Sequence, residues 1–350
     1  MDKSTFDALI SPLKRPEKVS SGEWCVLFRA FVHEGREQLY EHARDVTFQH
    51  FGKGIYLRAL IEISSYCRNG CRYCGLRSNN SLAIRYRLNK EQILECCDRA
   101  ASLGFNTFVL QGGEDPLQND DWLADVVSTI KRHYPDKAVT LSVGERSADG
   151  YAALRVAGAD RYLLRHETAD AGHYSFLHPG AMSYRNRRDC LYELKRLGYQ
   201  VGAGMMIGSP GQTVEHIVKD LMFLDELQPQ MIGIGPFIPA KGTPFANELP
   251  GIVEDTLLLI ALLRLRFPRA LIPATTALAT LCSDGTERGI LAGANVVMPN
   301  MTPLDVRNKY TIYDNKKVTE SESAEQLNLL SDRLERIGYK LDFSRGDHCS

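Results

Sequence analysis

The sequence predicts an α/β fold, a complete (βα)8 barrel of the TIM type preceded by an N-terminal helical extension. Three observations predict it. Eight strand-like runs recur along the 350 residues, amphipathic segments alternate with them, and polar motifs follow the ends of the strands. A barrel of this class often reaches such a length as one unit, and it carries its chemistry on the loops at the carboxyl ends of its strands.

The eight runs are continuously apolar and rich in valine, isoleucine and leucine. Runs of this kind are typical of parallel strands that helices cover on both faces. They lie at 57–63, 106–111, 138–143, 160–165, 199–207, 230–236, 270–275 and 294–298.

Helical segments separate these runs. Asn89 with Gln92 forms a capping pair at the start of one helix, and Thr213 is placed to cap another. Before the first strand, residues 4–15 and 23–49 have the texture of helices. We therefore predict an N-terminal helical extension, the barrel and a C-terminal helical tail, with bounds at 1–50, 51–315 and 316–350.

Composition and charge narrow the functional class. Hydrophobic residues make up 44% of the chain and charged residues 24%, as in globular proteins with a large core. A net charge of −1 predicts neither nucleic acid nor a membrane as a partner. The first residues lack the pattern of a signal peptide, and nine irregularly spaced cysteines do not resemble a secreted disulfide framework. We expect a cytoplasmic enzyme.

Three closely spaced cysteines carry the strongest chemical signal. Cys67, Cys71 and Cys74 follow the first predicted strand and are separated by three and then two residues, so one short loop can bring three thiolates to one metal centre. Iron–sulfur clusters usually take four cysteine ligands. Three cysteines without an obvious fourth therefore predict a 4Fe–4S cluster with one iron open to a non-protein ligand. The alternative is zinc, whose structural sites normally show four ligands in paired spacings.

Polar residues follow the second, third and fourth strands. Gly113 and Glu114 belong to a Gly-Gly-Glu turn, in which paired glycines let backbone carbonyls approach a ligand and an acid suits an ammonium group. Ser142 ends the third strand, and Arg165 and Glu167 end the fourth. A structural arginine–glutamate pair is the alternative interpretation of the last two.

The later strand ends offer groups for anion binding and for a cavity wall. Arg187 falls in the first turn of a helix with Ser183 as its cap, and a helix N-terminus with a guanidinium makes a carboxylate site. An ordinary exposed arginine is the alternative. The glycine-rich run at 202–213 leaves a flat slot suited to a planar base. Hydroxyl groups and methionines at the last strand tips suit a substrate cavity, although methionine also fills cores.

Together these motifs resemble the radical S-adenosylmethionine (SAM) superfamily. Within it they resemble the HydE family of FeFe-hydrogenase maturases, in the clan of biotin synthase and methylornithine synthase. Biotin synthase shares the cluster motif and the barrel but not this set of strand-tip sequences. The resemblance covers about residues 55–315 and rests on the segments 61–77, 113–116, 161–168, 208–213, 233–239, 273–276 and 298–300.

The resemblance implies roles for individual residues. Cys67, Cys71 and Cys74 would hold one 4Fe–4S cluster. SAM would be bound, with Arg187 on its carboxylate, by Tyr73, Gly113, Glu114, Ser142, Glu167 and Arg187. A closed cavity beneath SAM, where the catalytic contacts would lie, would be lined by Arg165, Met231, Thr275, Thr276, Met298, Tyr310 and Tyr313.

The resemblance also implies a reaction. SAM would be cleaved reductively to methionine and a 5′-deoxyadenosyl radical, in the assembly of the di-iron subsite of the hydrogenase H-cluster. The substrate would be a cysteine-bound iron carbonyl–cyanide intermediate from a partner maturase, and reduced flavodoxin or ferredoxin would donate the electron. Two alternatives stay open. One is a methylornithine-synthase-like or other paralogue acting on an amino-acid-derived or sulfur-containing substrate, and the other is a non-catalytic iron–sulfur scaffold or carrier.

One departure from the family pattern lies near the C-terminus. Some family members carry a second cysteine cluster there, whereas this chain has no cysteine over 318–326. We expect no auxiliary cluster.

Overall fold

The computed structural model describes residues 1–178, 180, 182–316 and 327–348, apart from the side chain of His33. The segment at 318–326, on which the expectation about an auxiliary cluster falls, lies outside the described residues. The helices are α1 Lys3–Lys14, α2 Ser21–His33, α3 Arg36–Phe51, α4 Lys90–Ser102, α5 Asp120–His133, α6 Ala148–Val156, α7 Ala171–Leu177, α8 Tyr184–Arg196, α9 Val214–Leu227, α10 Val253–Arg266, α11 Thr276–Leu281, α12 Gly285–Leu291, α13 Leu304–Arg307 and α14 Leu327–Arg336. The strands are β1 Gly54–Leu57, β2 Ala59–Ser64, β3 Thr107–Gly112, β4 Ala138–Ser142, β5 Arg161–Leu163, β6 Gln200–Ala203, β7 Met206–Ile207, β8 Met231–Ile232, β9 Gly235–Pro236, β10 Val296–Val297 and β11 Lys340–Asp342.

Three helices form the N-terminal extension. Ser20 and Glu23 make a capping box at the start of α2. The run at 23–49, which was predicted to be helical, is divided into α2 and α3, because Gly35 between them has a left-handed backbone with φ of 78°. Helix α3 packs against α10, whose leucine-rich sequence is buried on nearly every side. A helix that is apolar all round is stable only inside a protein.

The central sheet is parallel and runs in the order β2-β3-β4-β5-β6-β8. Isolated parallel bridges continue it from Met231 to Leu271, from Pro273 to Val296, and from Asn300 back to Leu60 in β2. The parallel pairings therefore pass around eight segments and return to the first. The predicted α/β fold with parallel barrel strands is confirmed.

Two predicted strands are interrupted. The run at 199–207 divides into β6 and β7, and the run at 230–236 divides into β8 and β9. The cause is a close approach of two backbones, since a Cβ on Gly204 would lie 1.9 Å from the carbonyl oxygen of Gly233. The seventh predicted strand, 270–275, is present only as the bridges at Leu271 and Pro273.

The floor of the barrel, at the amino ends of its strands, is covered by the C-terminal segment. Strand β11 pairs in parallel with β1, with Gly54 opposite Lys340. Arg161 at the start of β5 then donates to Asp347 at 2.6 Å and to the carbonyl of Arg345 at 2.9 Å. This strand was not predicted within the tail, which was expected to be helical.

No helix in the described part of the chain is both long enough and apolar enough to cross a membrane.

Candidate active site

A loop of residues 65–77, the cysteine loop, follows β2 at the mouth of the barrel, where the strands end. Neighbouring segments fix it through backbone hydrogen bonds from three directions. The N–H of Arg68 donates to the carbonyl of Glu114 at 3.0 Å, that of Arg72 to Leu177 at 2.9 Å, and that of Gly75 to Ile312 at 2.9 Å. The loop is therefore shaped before any metal binds.

Two residues outside the loop maintain its shape. Arg85 donates to the carbonyls of Ser65 at 2.5 Å, Leu76 at 2.9 Å and Arg77 at 2.7 Å. Gly113 permits close packing, because a Cβ there would lie 2.2 Å from the carbonyl oxygen of Tyr66. Gly113, predicted to contact SAM, thus also has a structural reason to be glycine.

The three cysteines carry free, half-buried thiols. Burial raises the pKa of all three, that of Cys74 to about 12, and for Cys71 and Cys74 the neighbouring cysteines add to the shift. A bound cationic centre would lower the pKa of these thiols, because it stabilises the thiolate form. Within the described residues no three His, Cys, Asp or Glu side chains are grouped to hold a metal ion.

Glu114 links the cysteine loop to the next strand end. Its carboxylate accepts from Arg68 Nε at 2.9 Å and from the N–H of Glu145 at 2.9 Å. Gly144 makes this possible, since a Cβ there would lie 2.1 Å from Glu114 Cγ and its φ is 81°. Ser142, the other predicted SAM contact nearby, is half-buried at the end of β4.

Arg187 is buried, with 6% of its surface exposed. The alternative of an ordinary exposed arginine is therefore wrong. The predicted cap is confirmed, because Ser183 Oγ accepts from the N–H of Asn186 at 3.1 Å. Arg187 Nε donates to Glu145 at 2.6 Å, and its Nη1 donates to the carbonyl of Arg165 at 2.5 Å. Helix α8 thus places the buried guanidinium of Arg187 at the mouth, where it is paired with the carboxylate of Glu145.

Arg165 and Glu167 form an ion pair of 2.8 Å at the tip of β5. The structural interpretation of these residues predicted that pair, but the pair does not occupy all the hydrogen-bond donors of Arg165. Its Nε is buried without a hydrogen-bond partner among the described residues. Glu167 has a left-handed backbone with φ of 64°, a conformation that costs energy for a residue with a side chain.

A buried pair behind this tip was missed by sequence reasoning. His166 Nε2 lies 3.4 Å from Asp220 on α9, and both side chains are fully buried. The N–H of Gly204 donates to His166 Nδ1 at 3.3 Å, and the backbone N–H of Ala169 donates to Asp220. Burial raises the pKa of Asp220, and His166 opposes that shift. The signal in the sequence was a histidine between two predicted site residues, with its partner 54 positions away.

Tyr73 lies against a second missed histidine. Its hydroxyl is 2.9 Å from His178 Nε2, and His178 stacks on Tyr174 with ring centroids 4.1 Å apart. Burial, together with the charge of Arg187, lowers the pKa of His178 to about 3. His178 is therefore neutral at physiological pH and forms an uncharged wall beside the cysteine loop.

The residues predicted for the substrate cavity are dispersed. Thr275 is the N-cap of α11, and its hydroxyl is buried without a hydrogen-bond partner among the described residues. Met231 lies toward the floor instead, where Arg58 Nη1 approaches its sulfur at 3.1 Å. Tyr310 is buried, with Lys316 4.8 Å above its ring, and Tyr313 is half-buried. Thr276 and Met298 both line one small cavity of about 20 Å³.

Several known proteins are similar to this chain. The family model described as the Radical SAM superfamily matches residues 61–224. The FeFe-hydrogenase maturase subunit HydE of Thermotoga maritima is 46% identical over 280 residues, which are 80% of each chain. The structure of methylornithine synthase, PylB, matches with a TM-score of 0.82 at 27% identity, over 97% of this chain and 98% of that one.

A further solved structure agrees in fold. The maturase HydG of Carboxydothermus hydrogenoformans matches with a TM-score of 0.79 at 20% identity, over 97% of this chain and 80% of that one. The family match makes this chain an enzyme whose cofactors are a 4Fe–4S cluster and SAM. The chain belongs to the radical SAM superfamily and, within it, to the HydE family of FeFe-hydrogenase maturases.

Proposed function

We propose that Cys67, Cys71 and Cys74 hold the cluster, and that SAM cleaved beside it serves assembly of the hydrogenase H-cluster. The observation that carries the proposal is the packing of the cysteine loop against Glu114, with Arg187 and Glu167 within electrostatic range of Cys71. When bound, the reduced cluster supplies the electron that splits SAM into methionine and a 5′-deoxyadenosyl radical.

The mouth offers complementary groups for the amino-acid end of SAM. Arg187 binds the carboxylate in exchange for Glu145, its present partner at 2.6 Å. Glu114 faces the ammonium group and exchanges its contact with Arg68, whose side chain is 61% exposed and free to move. A charge-assisted contact is strongest where water is excluded, and the burial of Arg187 meets that condition. Tyr73, Gly113, Ser142 and Glu167 complete the SAM contacts that the family resemblance implies.

The substrate is placed below SAM, between two walls of the barrel. Arg165 offers an Nε donor and Thr275 a hydroxyl, and both atoms are buried without partners among the described residues. Groups of that kind suit a small anionic or cyanide-bearing ligand. We assign this ligand as a cysteine-bound iron carbonyl–cyanide complex supplied by a partner maturase, as the resemblance to the HydE family implies. Thr276, Met298, Tyr310 and Tyr313 remain proposed cavity residues, and Met231, which lies toward the floor beside Arg58, is proposed for the lower end of the cavity.

Anaerobic reconstitution tests the first half of this proposal. The protein should take up four irons and four sulfides and, when reduced with SAM, release 5′-deoxyadenosine. Uptake of one zinc without iron would overturn the cluster assignment. Cluster uptake without any 5′-deoxyadenosine would favour the non-catalytic scaffold.

A maturation assay with hydrogenase apoprotein and the partner maturases tests the second half. The double variant Thr275→Val and Thr276→Val should cleave SAM without substrate and fail to support hydrogenase activation. The similarity to methylornithine synthase over nearly the whole chain supports one second candidate function, the synthesis of 3-methylornithine. Formation of 3-methylornithine by the purified enzyme, with no effect on hydrogenase activation, would establish it instead.

The electron donor in this proposal is reduced flavodoxin or ferredoxin, and the place of action is the cytoplasm. The near-neutral net charge supports neither nucleic acid nor membrane as a partner.

A further inference from the structure

We propose that residues 65–90, here called the basic loop, form the docking surface for an acidic protein that carries one electron. The inference rests on the proposed function, which requires reduction of a cluster at the cysteine loop. The basic loop contains that cysteine loop and the strap from 78 to 90 that packs behind it.

The first observation is the charge of the basic loop. Its 26 residues contain no aspartate or glutamate, in a chain whose net charge is −1. The cations are Arg68, Arg72, Arg77, Arg85, Arg87 and Lys90. An excess of one sign in a short segment produces a local positive potential, which attracts and orients an acidic partner.

Carboxylates packed against the basic loop offset part of this potential and leave the rest. Lys90 pairs with the exposed Asp125 at 2.7 Å. Glu62 is buried and paired with Lys316, and Asp115 is buried beneath Arg87. Glu114 is buried beneath Arg68. Asp314, on a neighbouring loop, accepts from the backbone N–H of Lys241. Arg72, Arg77 and Arg85 have no carboxylate partner within the part of the chain that the structure describes.

The second observation is a group of exposed apolar side chains on the same surface. Leu82 is 66% exposed and Ile84 is 64% exposed, although both belong to a strap fixed by hydrogen bonds at either side. Leu117 is 68% exposed, and its backbone N–H donates to Asp115, the partner of Arg87. Large apolar groups surrounded by cations are typical of a protein interface with an acidic rim.

The third observation is the short connection from this surface to the cysteine loop. Arg85 follows the exposed Ile84 directly, and its guanidinium contacts three carbonyls at the two ends of the cysteine loop. Ser65 Oγ also donates to the carbonyl of Ile84 at 3.2 Å. A carrier seated on Leu82 and Ile84 would therefore lie one layer of residues from the cluster ligands.

The electron balance needs no further reactant. One electron leaves the reduced carrier and is consumed in breaking the carbon–sulfur bond of SAM, which yields methionine and the 5′-deoxyadenosyl radical. The carrier is the reductant, and ferredoxins and flavodoxins are acidic proteins of this class.

The test compares two protein carriers with one small chemical reductant on a double variant, Leu82→Asp with Ile84→Asp. These exposed side chains contribute little to the core, so the variant should fold with an unchanged cluster content. With reduced ferredoxin, and separately with reduced flavodoxin, formation of 5′-deoxyadenosine should fall roughly tenfold or more, because acidic groups now repel the carrier. With dithionite, a small reductant that needs no docking surface, the rate should stay within about twofold.

Val156→Asp is the matched control, since Val156 is 89% exposed at the end of α6, away from the basic loop. It should leave all three rates unchanged. Unchanged carrier-driven rates in the double variant would overturn the docking surface, and so would an equal fall with dithionite. A wild-type enzyme that forms no 5′-deoxyadenosine with any reductant would instead count against the proposed function.

A second measurement does not depend on the apolar positions. The carrier-driven rate of the wild type should fall as salt rises, because screening weakens attraction between the two surfaces. Arg72→Gln with Arg77→Gln should reduce that salt dependence at constant cluster content. Equal salt dependence in this variant and the wild type would contradict the electrostatic part of the proposal.

Discussion

The two ends of the barrel both contain buried arginines paired with carboxylates, and they use them differently. The floor cluster consists of Thr107, Arg161, Arg345 and Asp347. The mouth cluster consists of Glu145, Arg165, Glu167 and Arg187. In the floor cluster, Arg161 is fully buried and donates to Asp347, to Thr107 Oγ1 at 3.1 Å and to the carbonyl of Arg345. In the mouth cluster, Arg165 has one carboxylate, and its Nε has no partner among the described residues.

The difference separates residues that hold the fold from residues that can bind a ligand. A buried donor that already has partners contributes to stability, and disturbing it costs free energy. A donor buried without a partner is a liability that a bound ligand can relieve. The comparison therefore predicts that removal of an unpartnered donor at the mouth impairs binding with little effect on stability, and that substitutions at the floor do the reverse. Arg187 is intermediate, because it is at the mouth but already has partners in Glu145 and the carbonyl of Arg165.

The largest effect is expected for a cluster ligand at the mouth. Cys71→Ala should abolish iron–sulfur cluster uptake and all formation of 5′-deoxyadenosine, since a cluster with only two cysteine ligands is not retained. The apoprotein should unfold at nearly the same temperature as the wild-type apoprotein, because the cysteine loop is held by backbone hydrogen bonds. Iron content, EPR of the reduced protein and thermal unfolding measure these outcomes. Cys282→Ala is the control and should retain the cluster; retention of the cluster by Cys71→Ala would refute the ligand assignment.

The next effect is expected on SAM affinity. Arg187→Ala removes a buried, charge-assisted contact, which should cost on the order of 2–4 kcal/mol of binding free energy. SAM affinity should fall roughly thirtyfold or more at unchanged iron content, as measured by equilibrium binding. Arg188→Ala is the neighbouring control, because Arg188 is partly exposed and pairs with Glu226. A change of less than about threefold for Arg187→Ala would exclude Arg187 as the carboxylate contact.

A smaller effect, on stability alone, is expected at the floor. Asp347→Asn weakens the pair with the fully buried Arg161, although Asp347 is itself 37% exposed and solvent screens the interaction. We expect a loss of about 1–2 kcal/mol in the free energy of unfolding, measured by denaturant titration, with SAM affinity unchanged. Asp125→Asn, which removes an exposed pair with Lys90, should cost less than about 0.5 kcal/mol. Equal losses in the two variants would mean that burial of Arg161 has no energetic consequence.

The same pair predicts a pH dependence. Despite partial burial, hydrogen bonds and charges from Arg345 and Arg161 lower the pKa of Asp347 from 3.8 to about 2. A carboxyl group with a lower pKa in the folded state stabilises the fold above its unfolded pKa and loses that contribution as pH falls. The stability difference between wild type and Asp347→Asn should therefore be constant above about pH 5 and shrink between about pH 4 and pH 2.

Sequence reasoning recovered what local pattern determines. The positions of most barrel strands along the chain, the Asn89 capping box and the Ser183 cap were all predictable, because each depends on residues within a few positions of one another. The interruption at Gly204 was not, since it depends on Gly233, which lies on another strand.

The residues of the functional site show the same division between features set by neighbouring residues and features set by residues distant in sequence. The spacing of the three cysteines is by itself enough to indicate a metal centre, because all three lie within eight consecutive residues. The His166–Asp220 pair and the floor cluster were not predicted, because their members are distant in sequence and nothing in the local pattern marks them as partners. The pairing of Arg187 with Glu145 also depends on which loops the barrel brings together, and two separate motifs gave no sign of it.

The smallest expected effect gives the sharpest test of the comparison, because the same substitution is made at both ends. Thr275→Val removes a hydroxyl that has no hydrogen-bond partner among the described residues and makes no capping bond. The free energy of unfolding should therefore change by less than about 0.5 kcal/mol. Thr107→Val removes a hydroxyl that donates to the carbonyl of Arg345 at 2.8 Å and accepts from Arg161 at 3.1 Å. It removes both hydrogen bonds and leaves Arg161 Nη1 without that acceptor, although the carbonyl of Arg345 still accepts from Arg161 Nη2 at 2.9 Å, and it should cost about 1–2 kcal/mol.

Denaturant unfolding of the two variants measures the difference directly, and the shape change is the same in each, so packing effects largely cancel. If Thr275→Val were as destabilising as Thr107→Val, the Thr275 hydroxyl would have a structural partner. It could then not be counted as an unsatisfied donor at the mouth. If both variants were neutral, the hydrogen bonds of the floor cluster would not contribute to stability. The proposed difference between the floor and the mouth would then be wrong for the floor. The expected asymmetry distinguishes the unpartnered hydroxyl of Thr275 at the mouth from the hydroxyl of Thr107, which the floor cluster engages with two hydrogen bonds.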